Sequence, residues 1–286
     1  MGYSARYHVA SLAAVFLALA IGILIGAGLG RDLLRSGTRN LEASLKEDVS
    51  DARGQIADLQ RETSRDNEFA QTVYPNLVGG QLFGAHIGVV AFGGLDEGAR
   101  NDVRAALEPT GARITQVAII REPPDVDGLI DAAGKRFDIR PKDDALDKLS
   151  KAIGESIIAG SELYDDVREP LLSGFSGGTP PLDGVVVVRD RPGDIDGKAG
   201  DETDRLEDGI IDGMTGGDVP VVGVQRTDVE DSSVGYFESH GLSTVDDADL
   251  VAGKVALVYA LAGAQGNFGT GGNADSLLPE PLGDGG

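Results

Sequence analysis

The chain contains no cysteine. Disulfides and thiolate metal sites are therefore excluded, and no redox compartment is implied. Tryptophan is absent as well, and aromatic residues make up only 5%, so a core must be built from Val, Ile, Leu and Ala. Basic residues are scarce, with 25 Lys and Arg against 47 Asp and Glu. A nucleic-acid footprint needs a basic face, and a folded part this acidic is repelled by anionic lipid. Histidine is limited to His8, His86 and His240, with no H-x-x-x-H pair, and the only thioethers are Met1 and Met214. Tight binding of a soft metal needs Cys or clustered Met and His, which these residues do not supply. No proline precedes Pro75, so nothing interrupts a helix before that point.

What is present begins with Val9 to Gly30, a run of 22 residues without a charge. As a helix it rises about 33 Å, enough to cross a hydrocarbon core of about 30 Å. The alternative is a cleaved signal peptide, whose apolar region is roughly 7–15 residues long. This run is longer and continues into a charged helical segment, so residues 1–30 read as a transmembrane anchor. Ala10, Ala14, Ala18, Gly22, Gly26 and Gly30 recur at every fourth position and form a stripe of small residues. Such stripes let helix backbones approach closely in lipid. Arg6 lies on one side of the run, with Arg31, Arg35 and Arg39 on the other. That balance does not favour a cytoplasmic N-terminus.

Residues 31–73 are polar, and Leu41, Leu45, Val49, Ala52, Ile56 and Leu59 repeat at steps of four, four, three, four and three. That spacing predicts a short coiled-coil stalk, with Val49 and Ile56 at one core position and Leu45, Ala52 and Leu59 at the other. The competing reading is one amphipathic helix packed on its own domain. The partner of the stalk is a second copy or another envelope protein. Tyr74-Pro75-Asn76 is expected to break the helix.

From residue 80 to residue 263 the pattern predicts an α/β domain. His86–Phe92, Arg113–Ile120, Gly184–Val188 and Pro220–Gln225 read as strands; Glu97–Glu108, Asp143–Ala159 and Val251–Ala262 read as helices. Strand, helix and strand at these lengths imply a mostly parallel sheet in a Rossmann-like three-layer fold. Residues 264–286, rich in Gly, are expected to be a disordered tail.

Gly93-Gly94 lies between a strand and a helix, where a phosphate can sit on backbone amides, but neither G-x-G-x-x-G nor G-K-[ST] follows, which leaves a tight turn. Gly174-Phe175-Ser176-Gly177-Gly178 matches G-x-S-x-G, with His240 as the only base. A nucleophile elbow leaves a strand and enters a helix, whereas here a helical stretch precedes and Thr179-Pro180-Pro181 follows. Asp190, Asp194, Asp196, Asp201, Glu202 and Asp204 read as an acidic loop that fails the EF-hand spacing. No enzymatic constellation and no bound cofactor is expected.

Two places resemble a known family. Ser11 to Gly22 (SLAAVFLALAIG) is similar to the N-terminal signature of the actinobacterial copper transporter family, MctB-like. Ser243-Thr244-Val245-Asp246-Asp247, followed by an apolar helix, is similar to its C-terminal signature. The resemblance covers nearly the whole chain and implies an envelope protein in copper transport, efflux and homeostasis, with residues 31–286 outside the cytoplasm and copper as the transported ion. Relatives act in a two-protein complex that controls cell separation, so a non-enzymatic scaffold or regulator is the alternative. Asp246 and Asp247 are the best-matched polar residues outside the membrane. They are candidates for holding a cation or a partner, or for capping the last helix near Asp249.

Overall fold

The computed structural model describes residues 4–134, 145–193 and 195–280, with side-chain surroundings omitted for residues 4–6 and 28–44. The chain divides into two units, residues 1–67 and 68–286.

The first unit is helical throughout its described residues. Helix α1 spans Ser4–Val78, so it ends in the second unit. Within it, Tyr7–Ala27 is 21 residues long and apolar enough to cross a membrane. The side chains of this stretch are exposed.

In the second unit a seven-stranded sheet has the order β3-β2-β1-β4-β5-β6-β7. The strands are β1 (His86–Gly93), β2 (Arg113–Ile120), β3 (Leu172–Gly177), β4 (Gly184–Asp190), β5 (Val221–Val224), β6 (Ser243–Val245) and β7 (Asn267–Phe268). All neighbours pair in parallel except β2 and β3. The helices are α2 (Glu97–Leu107), α3 (Val126–Ala133), α4 (Ala145–Ala159), α5 (Glu162–Leu171), α6 (Gly197–Thr215), α7 (Val234–Ser239) and α8 (Val251–Leu261).

Alternation along the central strands sends side chains into two cores. Val90, Phe92, Val185 and Val187 meet Leu149, Ile153, Tyr164 and Ile210 from α4, α5 and α6. Val89, Ala91, Val186 and Val188 meet Val103, Leu107, Leu257 and Tyr74 from α2, α8 and the end of α1. A sheet covered on both faces explains the unbroken Gly184–Val188 run, because every position is buried. The mostly parallel α/β architecture agrees with the sequence reading.

Several expectations are corrected. The helix does not break at Tyr74-Pro75-Asn76; Pro75 lies inside α1. An interior proline costs about 3 kcal/mol, but the last turns are fixed by packing. Val78 is fully buried, and the Tyr74 hydroxyl donates to the Ala106 carbonyl at 2.6 Å. The helix stops instead at Gly79-Gly80, where Gly80 takes φ +76°. The acidic stretch 190–204 is not all loop, because α6 begins at Gly197 and carries Asp201, Glu202 and Asp204. Its buried residues Thr203, Leu206, Ile210, Ile211 and Met214 form one helical face, which the crowded carboxylates disguise. The stretch after 263 is ordered at least in part, since Asn267–Phe268 joins the sheet and Phe268 is buried. Residues 281–286 lie outside the described residues, as do Asp143 and Asp144 of the predicted fourth-helix start.

Candidate functional site

The chain's progress across the sheet reverses between β1 and β4, its direct neighbours being β2 on one side and β5 on the other. In open α/β sheets a crevice forms at such a point, beyond the carboxyl ends of the strands. Here it is a cavity of about 270 Å³, lined in part by Asp96, Gly98, Asp190, Val224 and Arg226. Gly93 takes φ +77°, and the Gly94 amide donates to the Phe92 carbonyl at 3.0 Å. Asp96 then accepts from the Gly98 and Ala99 amides at 2.5 and 3.2 Å. The chain's own carboxylate thus occupies the amides that a phosphate would use, and Gly93-Gly94 is a turn.

Arg226 closes the crevice. It pairs with Asp102 and, at 3.0 Å, with Asp228; Lys254 reaches Asp102 at 3.2 Å. The hydrogen bond from Arg226 holds Asp228 below its usual range. Burial works against the charged form of Asp249, but bonds from the Thr227 amide and hydroxyl, both 2.8 Å, carry it below the usual range.

On the other side of the sheet a second acidic group gathers at the same strand ends. Glu122 follows β2, Glu207 is fully buried on α6, and Arg189 is the next-to-last residue of β4. Arg189 Nε donates to Glu207 Oε2 at 2.7 Å, and its guanidinium lies 4.3 Å from the centroid of the Tyr236 ring. Arg191 pairs with Asp204, and Tyr236 and His240 both reach Asp208, at 2.9 and 3.2 Å. Glu122 is half-buried as a residue, yet both its carboxyl oxygens are enclosed. Burial, followed by the hydrogen bond and the charge of Glu207, pushes it up to about 9. Sequence reading missed this group. The only signal was a carboxylate on the inner face of α6, in register with Thr203, Leu206 and Ile210.

Asp246 and Asp247 play different parts. Asp246 accepts from the Thr270 and Gly271 amides, each at 2.9 Å, and so clasps the segment after β7. Asp247 is fully enclosed, and neither oxygen has a partner. Burial, then the charges of Asp246 and Asp249, push it up to about 6. Neither caps α8, whose N-cap position is Leu250 without a side-chain bond. Among the described residues no group of three or more His, Asp or Glu stands in metal-holding geometry.

The G-x-S-x-G stretch forms β3, entered from α5 and left into a loop, the reverse of an elbow. On α1, Leu45, Val49, Ile56 and Leu59 are 65%, 43%, 54% and 61% exposed, and Ala52 is exposed too. These seam positions are thus exposed among the described residues. Ala14, Ala18, Gly22 and Gly26 are likewise exposed, and a Cβ at Gly22 or Gly26 would meet nothing. Gly30 lies in α1, but its surroundings fall outside the described residues.

A membrane-length apolar helix and a doubly covered, mostly parallel sheet define an α/β protein with one candidate membrane span. The chain belongs to the family described as copper transport outer membrane protein, MctB, which it matches over residues 3–279. No curated protein matches it. The family match takes in both the apolar helix and the sheet domain, in agreement with the resemblance read from the two terminal signatures.

Proposed function

We propose that this chain is a non-enzymatic envelope protein acting in copper efflux and homeostasis, held by the Tyr7–Ala27 helix with its α/β domain outside the cytoplasm. The observation that carries this reading is the family match, which runs through both the anchor and the domain. Copper is the cargo, and the chain holds no resident cofactor. With no Cys in the chain and Met214 buried, the domain has few soft donors, and the role in efflux is exerted with a partner. The stalk pairs with a second copy in parallel. Val49 and Ile56 are β-branched at the position that favours two strands, and Leu45, Ala52 and Leu59 follow in the other. In that register Asp48 of one copy faces Arg53 of the next, an opposite-charge pair across the seam.

The test is a deletion strain carrying either the full chain or an empty vector. Copper tolerance should fall without the chain and return with it. Protease added to wall-stripped cells should digest the domain. Unchanged copper tolerance with failed cell separation would replace this reading by the scaffold role.

A further inference from the structure

Three carboxyl oxygens near the strand ends are enclosed without a donor: both of Glu122 and Oε1 of Glu207. Glu122 Oε2 lies beside Gly93, whose register partner is Asp190, and the adjoining Arg189 bonds Glu207, so both carboxyls gather at the exit of β4, where the charge of Glu207 bears on Glu122. Two ionised carboxylates in contact, away from water, repel strongly; one proton between them turns the repulsion into a hydrogen bond. We propose that Glu122 and Glu207 form a buried proton-binding site, in which one shared proton joins the loop after β2 to α6. This reading does not depend on the copper role.

The charges around the pair leave room for one proton. From β4 and its exit come Arg189, Asp190 and Arg191; from α6, Asp204 and Asp208; from α7, Tyr236 and His240. Arg191 is committed to Asp204, and His240 and Tyr236 to Asp208. Arg189 bonds Glu207 Oε2, and the charge of Arg191 also bears on both carboxyls. The two guanidiniums of Arg189 and Arg191 against the three carboxylates of Glu122, Glu207 and Asp204 leave an excess of one negative charge, which a proton cancels and a divalent cation overshoots. Gly93, at the end of β1, supplies the room, since a Cβ there would lie 2.9 Å from Glu122 Oε2.

The sign of the pH dependence follows. The folded chain holds a proton that the unfolded chain releases above its ordinary value of 4.5. Stability from this site is therefore complete below about 4.5 and is lost as pH rises toward about 9. The experiment uses the full chain in detergent. Infrared spectra in heavy water at about pH 7.5 should show one protonated carboxyl C=O band, because Asp247 is ionised there. Glu122→Gln should remove the band and flatten the fall in Tm between about pH 5 and 9. If that variant does not fold, the wild-type band decides alone: it should persist at about pH 7.5 and vanish by about pH 10. Absence of the band at about pH 7.5, its survival in Glu122→Gln, or its loss on adding calcium would each overturn the proposal.

Discussion

Asp247 shows how a single carboxyl sets a pH dependence. Its two oxygens have no partner and its side chain is enclosed, so ionisation places an uncompensated charge inside the domain. The folded value of about 6 stands above the ordinary 3.8. Its stability contribution is therefore complete below about 3.8 and lost as pH climbs through about 6. Asp247→Asn should accordingly raise Tm at about pH 7.5 by about 2–4 °C for each kcal/mol recovered, and should converge with wild type near about pH 4. Calorimetry of the full chain at both pH values checks this. Sequence could mark Asp246 and Asp247 as notable, but not assign them. Adjacent residues of one type went to different work, because Asp246 meets two backbone amides and Asp247 meets none.

At the level of elements, legibility followed how cleanly a pattern was written. The bounds of β2 were readable because Arg113–Ile120 is bracketed by Gly111 and Glu122-Pro123. Helix α6 was not, because six acidic residues along Gly197–Thr215 outweigh its apolar face to the eye. Pro75 misled for a different reason: a local rule lost to packing by Tyr74 and Val78, whose partners include Ala106, 32 residues beyond Tyr74 in the chain. The heptad spacing of the expected stalk falls within α1, and Leu45, Val49, Ile56 and Leu59 are exposed there. Val49→Asp together with Ile56→Asp should lower crosslinking between copies in membranes at least about tenfold, since each charge would be buried in the seam. The α/β domain, whose cores include neither residue, should keep its Tm. Unchanged crosslinking would mean that copies do not meet through this seam.

For the whole molecule, the order of membrane-length helix, polar helix and alternating strands was legible, and it is the order the family match spans. What the sequence hid was where the domain closes. Tail glycines looked like disorder because composition does not distinguish a flexible glycine from one that admits a neighbour. Gly269 takes φ +138°, and a Cβ on it or on Gly271 would strike the Asp246 carboxyl. These glycines are the access route for the clasp that seats Phe268 beside Val245.

The clasp also decides what the sheet shows to other molecules. With Asn267–Phe268 in place, the backbone groups of β6 that face away from β5 are paired, and Ser276 in turn covers Phe268. A chain cut before Asn267 would leave Ser243–Val245 as an unprotected sheet margin, with the hydrophobic wall of α8 beside it. Unpaired margins recruit strands from other chains. Trimmed at residue 263, the protein should form concentration-dependent oligomers by light scattering, while a chain ending at residue 280 should not. The glycine-rich tail is in that sense a guard against self-recruitment.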